Sequence, residues 1–540
     1  VILLASFMVL LDTSIVTNGL AAIQRDLSAT YAQVQFVLTA YTVAYGMTLI
    51  TGGQLGDLYG RKRMFLIGLA GFTLTSALCG LAWSPLALIA FRALQGVAAG
   101  VMFPQVSSLI QVLFPIPERP RAFGLQGAIV GLGVVTGPLL GGVLIDARVL
   151  GLVWQPIFLV NVPVGLIALY LAWRVVPESK SERARGLDLL GVLMVSAAMF
   201  ALTYPIIEGR EAGWPAWMIA LLASSLVLLG AFIAHQRRLE RTGGSGLLRL
   251  ELFNDRAFVV GSLITFVFQS GVLSYFVAMS LFLQGGLGFS PAEAAVRLMA
   301  YQIGIVVGSL TSARASKALG RNVLLLGAAL LTVGLIATML ILRATALEYR
   351  GFEMIPALFI GGLGFGYVVA PLQSIILARV NPAFAGSASG VLSTIQQVGS
   401  AVGVALIGIL FFGQLSSQAA TVGAGVAPQL ERSLETAGVP APTIARVSAQ
   451  FQRCLEARFA QSDPNATPPV CQASSQPVPE VVRNAVSSAA TLARKENFLE
   501  AVLIALRYQL AVYAICFALV FLLPGLSRAR PSANTAAVAH

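Results

Sequence analysis

Charge is scarce in this sequence. Only 11% of its 540 residues are Asp, Glu, Lys or Arg, against about 25% in a soluble domain. So few ionised groups exclude an ordinary water-soluble globule of this length. Histidine is nearly missing: His235 falls in a polar stretch read as a loop, and His540 is the last residue. The chain lacks Cys-x-x-Cys, His-Glu-x-x-His and a glycine loop ending in Lys-Ser/Thr. No metal site, nucleotide cradle or enzyme constellation can be built from what is left. The expectation is a chain that is not an enzyme, holds no metal or cofactor, and draws on an ion gradient rather than ATP for any work it does.

What is abundant is apolar sequence. Hydrophobic residues make up 57% of the chain, arranged in runs of about 20 residues, the length that crosses a bilayer as a helix. Fourteen such runs are read, from 1–20 to 501–524, with the seventh and eighth at 189–207 and 216–234 and the thirteenth at 388–412. The chain begins at Val1 inside the first run. Without a small-residue cleavage pattern this reads as a trimmed N-terminus, not a signal peptide.

The net charge of +12 does not call for nucleic acid. Basic residues gather in alternate loops, at Arg61, Lys62 and Arg63, at Arg183 and Arg185, at Arg237, Arg238 and Arg241, and at Arg314, Lys317 and Arg321. The short intervening loops hold only Arg25, Arg148, Arg210, Arg343 and Arg350. Cytoplasmic loops carry this excess, so both termini are placed in the cytoplasm and the chain in the inner (plasma) membrane.

Polar stretches after the sixth and eighth runs divide the chain. Residues 1–176 read as a six-helix bundle, 177–257 as a link with an inserted two-helix hairpin, and 258–540 as a second six-helix bundle with a long outer loop at 413–500. The turn from Gly53 to Arg63, with Asp57 and Gly60, has a faint echo from Arg314 to Arg321, where Lys317 stands in place of the acid. Two repeated six-span halves are a transporter architecture.

The fifth run contains Gly133, Gly137, Pro138, Gly141 and Gly142. Proline removes a helix donor and glycine weakens the helix, and lipid cannot satisfy the freed groups. Small residues at this spacing let two helices approach closely. The stretch reads as a kinked, tightly packed hinge, or as an ordinary helix-packing seam.

These motifs together carry a resemblance. The Gly53–Arg63 turn resembles the cytoplasmic loop signature of the major facilitator superfamily. Leu88 to Ala99, with Arg92, Gln95 and Gly96, resembles its fourth-span motif, and Gly133 to Gly142 its antiporter motif. Leu11 to Val16, Trp154 to Gly165, and Gly386 to Gly390 with Gln396, Gln397 and Gly399 resemble motifs of the fourteen-span drug:proton antiporter subfamily. The first of these departs from the usual pattern at Ser14, Thr17 and Ala21, which bears on substrate preference. The resemblance implies an all-α major facilitator fold and a multidrug efflux transporter that exports small amphipathic or cationic compounds in exchange for protons. Proton-coupled movement of a metabolite or lipid, or a non-transporting membrane scaffold, are the alternatives. Partners are the small-molecule substrate, protons and membrane lipid, with no nucleic acid and a monomeric chain.

Candidate site residues follow. Asp12 lies mid-span, where a bare carboxylate is costly and should be protonated or face a polar cavity. The resemblance supports a role for it in coupling or substrate recognition, against a structural hydrogen-bonded acid. Arg92, also in an apolar span, holds a carboxylate or satisfies carbonyls. Asp57 can pair with Arg61, Lys62 or Arg63, or cap a neighbouring helix. The resemblance implies a gate made of Gly53, Asp57, Gly60, Arg61 and Lys62, against a simple topological anchor. Tyr41, Tyr45, Gln95, Gln126, Asn161, Gln269, Gln373 and Gln396 are cavity candidates. In the outer loop, Pro428–Gly438 and Pro442–Ala460 look helical and the middle, with Pro464, Pro468, Pro469, Pro477 and Pro479, irregular. Cys454 and Cys471 lie there, where a disulfide is permitted, worth about 3 kcal/mol in loop entropy.

Overall fold

Apolar helical sequence in lipid must satisfy every backbone group internally, and the computed structural model does so with helices alone among the described residues: 1–148, 151–181, 186–209, 212–244, 246–345, 352–460, 468–471 and 479–524. Expectations resting on Arg183, Arg185, Arg210, Arg350, Pro464, Pro477 and His540 lie outside these residues. The helices are α1 (Ile2–Asp26), α2 (Tyr31–Tyr59), α3 (Arg61–Gly80), α4 (Pro85–Leu113), α5 (Arg119–Ala147), α6 (Pro156–Leu159), α7 (Asn161–Val175), α8 (Leu189–Glu208) and α9 (Ala216–Arg241). They continue with α10 (Arg256–Leu281), α11 (Pro291–Leu319), α12 (Asn322–Thr345), α13 (Ile355–Leu377), α14 (Ala385–Thr436), α15 (Ala441–Phe459) and α16 (Glu480–Val520). Among the described residues fourteen helical segments are long and apolar enough to cross a membrane, α6 and α7 together making one.

Local chemistry sets the ends. Thr30 with Gln33 and Ser290 with Glu293 form reciprocal caps that start α2 and α11, each satisfying free backbone donors. Asp255 accepts from Ala257 and Phe258 to start α10. Between α2 and α3, Gly60 has φ +106°, a conformation open to glycine and strained for other residues. A side chain there would also meet the Glu178 carboxyl group at 2.7 Å.

Helices α1 to α7 pack on one another, as do α10 to α14 with α16. The two groups meet where α2 and α4 touch α14 and where α5 touches α11 and α13. Much of this contact lies toward one end, called here the Gly60 end. A Cβ on Gly53 would fall 2.2 Å from the Gly386 carbonyl, and Gln111 donates to the carbonyls of Leu377 and Val380 at 2.9 and 3.1 Å. Helix α8 packs on α2, with Ser196 donating to the Met47 carbonyl. Its partner α9 leaves Leu226 and Val227 about 70% exposed, a face suited to lipid. His235 lies inside α9, not in a loop; the apolar run before it simply continues as helix.

The outer loop is helical over most of Pro428–Gly438 and Pro442–Ala460, as expected, but the spans that flank it are longer than expected. The thirteenth and fourteenth spans do not stop at 412 and start at 501: α14 runs unbroken to Thr436 and α16 begins at Glu480. With α15 they enclose a separate apolar core of Val426, Leu430, Leu434, Ile444, Phe451, Leu455 and Val482. Cys454 and Cys471 are joined by a disulfide.

Candidate functional site

The first buried group is built around Asp12 in α1, which has no exposed surface. Arg92 of α4 pairs with it at 2.5 Å. Gln95, one turn further along α4, donates to Asp12 at 2.9 Å, and Asn161 at the start of α7 donates at 3.1 Å. Arg92 also donates to Gln95 Oε1 and to the Val37 carbonyl, and its guanidinium lies 4.2 Å from the Tyr41 ring centre. Asn161 reaches Ser76 of α3 as well. Asp12 is therefore neither isolated nor turned to an open cavity: α4 and α7 supply its partners, α2 and α3 the groups behind them, and Arg92 is its counter-charge. Leaving a buried carboxylate without such partners costs several kcal/mol.

The second element is a cavity of about 530 Å³ between the two helix groups, lined from α1, α2, α4, α8, α10 and α14 beside this cluster. Of the sequence candidates, Tyr41, Tyr45, Gln269 and Gln396 line it. Gln95 and Asn161 do not, being drawn to Asp12. Gln126 is buried outside the lining, and Gln373 is not part of it. Asp12 is not in the wall either, but Tyr41 is, so one aromatic ring stands between the cavity and the Arg92 guanidinium. Tyr41 and Tyr45 stack at 6.1 Å, and Phe103 meets Tyr45 edge-on.

At the Gly60 end, Asp57 is buried and makes both contacts open to it. Its Oδ1 accepts from Arg61 at 2.6 Å and from the Gly386 N–H at 3.0 Å, and Oδ2 accepts from the Ser387 N–H at 2.8 Å. The two amides belong to the first turn of α14, where free donors and the helix dipole favour a carboxylate. Arg61 reaches on to the Pro382 carbonyl and to Ser179. The other two cations turn elsewhere: Lys62 Nζ donates to the Trp173 carbonyl, and the Lys62 and Arg63 amides donate to Glu178.

The glycines of α5 pack on α1. A Cβ on Gly137 would lie 1.9 Å from Ser14 Oγ, one on Gly141 2.9 Å from Ile15, and one on Gly133 3.0 Å from Leu10. Gly142, expected on the same face, has nothing within 4 Å; it follows Gly141 by one residue and so points about 100° away. Asn18 donates to the Pro138 carbonyl at 2.7 Å. The seam thus grips α1 on both sides of Asp12, from Leu10 to Asn18.

Most of the lining was not among the sequence candidates, and the cavity's one carboxylate among the described residues was missed with it. Glu208, the last residue of α8, lines the cavity and accepts a hydrogen bond from Thr39. It falls one position beyond the seventh apolar run.

The sequence profile of the Major Facilitator Superfamily matches residues 2–404. A "Probable actinorhodin transporter" of Streptomyces coelicolor is 38% identical over 97% of this chain and 91% of its own length. The "Puromycin resistance protein pur8" of Streptomyces alboniger is 35% identical over 80% of this chain and 84% of its own. The "Multidrug resistance protein Stp" of Mycobacterium tuberculosis is 32% identical over 83% and 79%. Among solved structures, the human organic anion transporter MFSD10 and the proton:xylose symporter XylE each superpose with a TM-score of 0.53 at 14% identity. Each covers 75% of this chain, and 91% and 86% of their own lengths respectively; at that identity they share the fold. With a profile match over most of its length and relatives aligned nearly end to end, the chain belongs to the major facilitator superfamily.

Proposed function

We propose that the chain exports small amphipathic or cationic compounds in exchange for protons, by alternating access, as a monomer in the plasma membrane with both termini and the Gly60 end in the cytoplasm. The observation that carries this reading is the fully buried Asp12–Arg92 pair one tyrosine ring behind a cavity sized for a small ligand. Relatives named for antibiotic transport or resistance support the choice of cargo and direction.

The exchange logic rests on charge. With Asp12 ionised, the pair is neutral. A proton on Asp12 leaves Arg92 as a buried, unmatched cation. A cationic ligand beyond Tyr41 disfavours that second positive charge, so proton and ligand exclude each other. Without its counter-charge Arg92 has reason to move, and α4 and α1 with it. At the Gly60 end, Asp57 holds α14 against α2 in the present state; releasing it allows that end to open. Work is drawn from the proton gradient, without another cofactor.

The test uses proteoliposomes with an entrapped pH indicator. Adding an exported compound on one side should drive protons the other way. A compound that crosses with no proton movement would sink the coupling claim.

A further inference from the structure

The cavity wall contains one carboxylate and no Lys, Arg or His among the described residues: the carboxylate is Glu208. It is contributed by the inserted hairpin. Helix α8 enters with its end rather than with a face, since the consecutive residues Ile206, Ile207 and Glu208 all line the cavity. Consecutive helix residues point about 100° apart, so only a helix terminus can present three to one space. Pro205 precedes them and Gly209, the cap, adds no side chain beyond.

Thr39 donates one hydrogen bond to Glu208, while an ionised carboxylate offers about four acceptor positions. No Lys or Arg among the described residues forms an ion pair with it. The C-terminal end of α8 adds its own negative partial charge at the same place. The remaining wall is uncharged: polar residues such as Gln269, Gln396 and Gln397 alternate with Leu10, Leu38, Leu273, Tyr45 and Phe103, and aromatic faces attract organic cations. By contrast, the charge of Asp12 is matched by Arg92 behind Tyr41.

We propose that Glu208 is the charge-recognition group of the cavity, taking the ammonium or other onium centre of a lipophilic cation whose apolar body rests on the leucines and aromatics. This deepens the export reading and rests on it for cargo class. It gives the inserted hairpin a place in the binding site, and it separates recognition of the cation at Glu208 from proton exchange at Asp12.

The test is equilibrium binding of tetraphenylphosphonium, and of an uncharged aromatic probe of similar size, to the purified full chain in lipid nanodiscs. Glu208→Gln should weaken tetraphenylphosphonium at least tenfold, about 1.4 kcal/mol, and change the neutral probe less than threefold. Glu208→Asp should recover most of the loss. Leu226→Ala, on the exposed face of α9 and outside the cavity, should leave both probes unchanged. Unchanged cation affinity in Glu208→Gln, no cation binding by the wild type, or equal loss of both probes in Glu208→Gln would overturn the assignment. Binding as expected without uphill movement in vesicles would instead overturn export and leave the Glu208 site standing.

Discussion

Substituting the α5 glycines one at a time by alanine should grade transport by the space each faces. The added methyl at Gly137 would sit 1.9 Å from Ser14 Oγ, 2.7 Å from Ser14 Cβ and 3.0 Å from the Ile15 nitrogen. Turning the Ser14 hydroxyl away removes the first contact and not the other two, so α1 itself must shift. Overpacking of this kind costs about 1–3 kcal/mol, against about 1 kcal/mol gained in helix propensity from Gly→Ala. Asp12 lies two residues before Ser14, and its 2.5 Å pair with Arg92 tolerates little displacement. Gly137→Ala should therefore cut substrate-driven proton flux at least tenfold at equal membrane abundance, and Gly137→Leu should abolish it. Gly141→Ala and Gly133→Ala, meeting neighbours at 2.9 and 3.0 Å, should fall between. Gly142→Ala, with open space, should be active and slightly more stable. The assay is initial flux in proteoliposomes, normalised to protein. Equal activity of Gly137→Ala and Gly142→Ala would refute the claim that this seam positions Asp12.

Asp57→Asn should loosen the Gly60 end, because Arg61 loses its buried counter-charge. Breaking such a pair costs about 3 kcal/mol or more, roughly two decades in the closed-to-open ratio. A cysteine at Ser389, which is 1% exposed beside this contact, should then be alkylated much faster; an unchanged rate would speak against the latch. Asp188, the cap of α8, is pushed up by burial, but hydrogen bonds from His235, the Gly191 N–H and Gln236, with the charge of His235, outweigh it and hold the carboxyl below its ordinary value. Its contribution is present above the unfolded carboxylate pKa of about 4 and is lost as pH falls through the lower folded value. Thermal melts should show an acid-side loss of stability that Asp188→Asn flattens; identical profiles would exclude it.

The membrane fold was readable from the sequence because span length and hydropathy are set directly by lipid. Asp57 was readable too, since an acid followed by Gly60 and Arg61 at the end of an apolar run has few roles. Of the outer helices, Pro428–Gly438 and Pro442–Ala460 were readable, but the continuation of both flanking spans into them was not. Hydropathy reports burial in lipid, not helicity, and the polar turns after residue 412 stay helical by propensity and by packing against α15. Gln95 and Asn161 were placed in the cavity because a polar residue in a span does not announce which face it takes; here the charge on Asp12 draws them inward. Glu208 was lost to a boundary. It lies one residue past the apolar run 189–207, yet it is the last helical residue of α8 and lines the cavity.

The central claim is that proton exchange runs through the Asp12–Arg92 pair. It is tested most directly by measuring uphill export and proton counterflow together in proteoliposomes containing wild type or Asp12→Asn, each checked for fold and for substrate binding. The account predicts that the Asn variant, nearly isosteric and still bound by Gln95 and Asn161, binds substrate and equilibrates it passively but neither concentrates it nor moves protons with it. Uphill export by Asp12→Asn at the wild-type rate, with normal proton counterflow, would contradict the account.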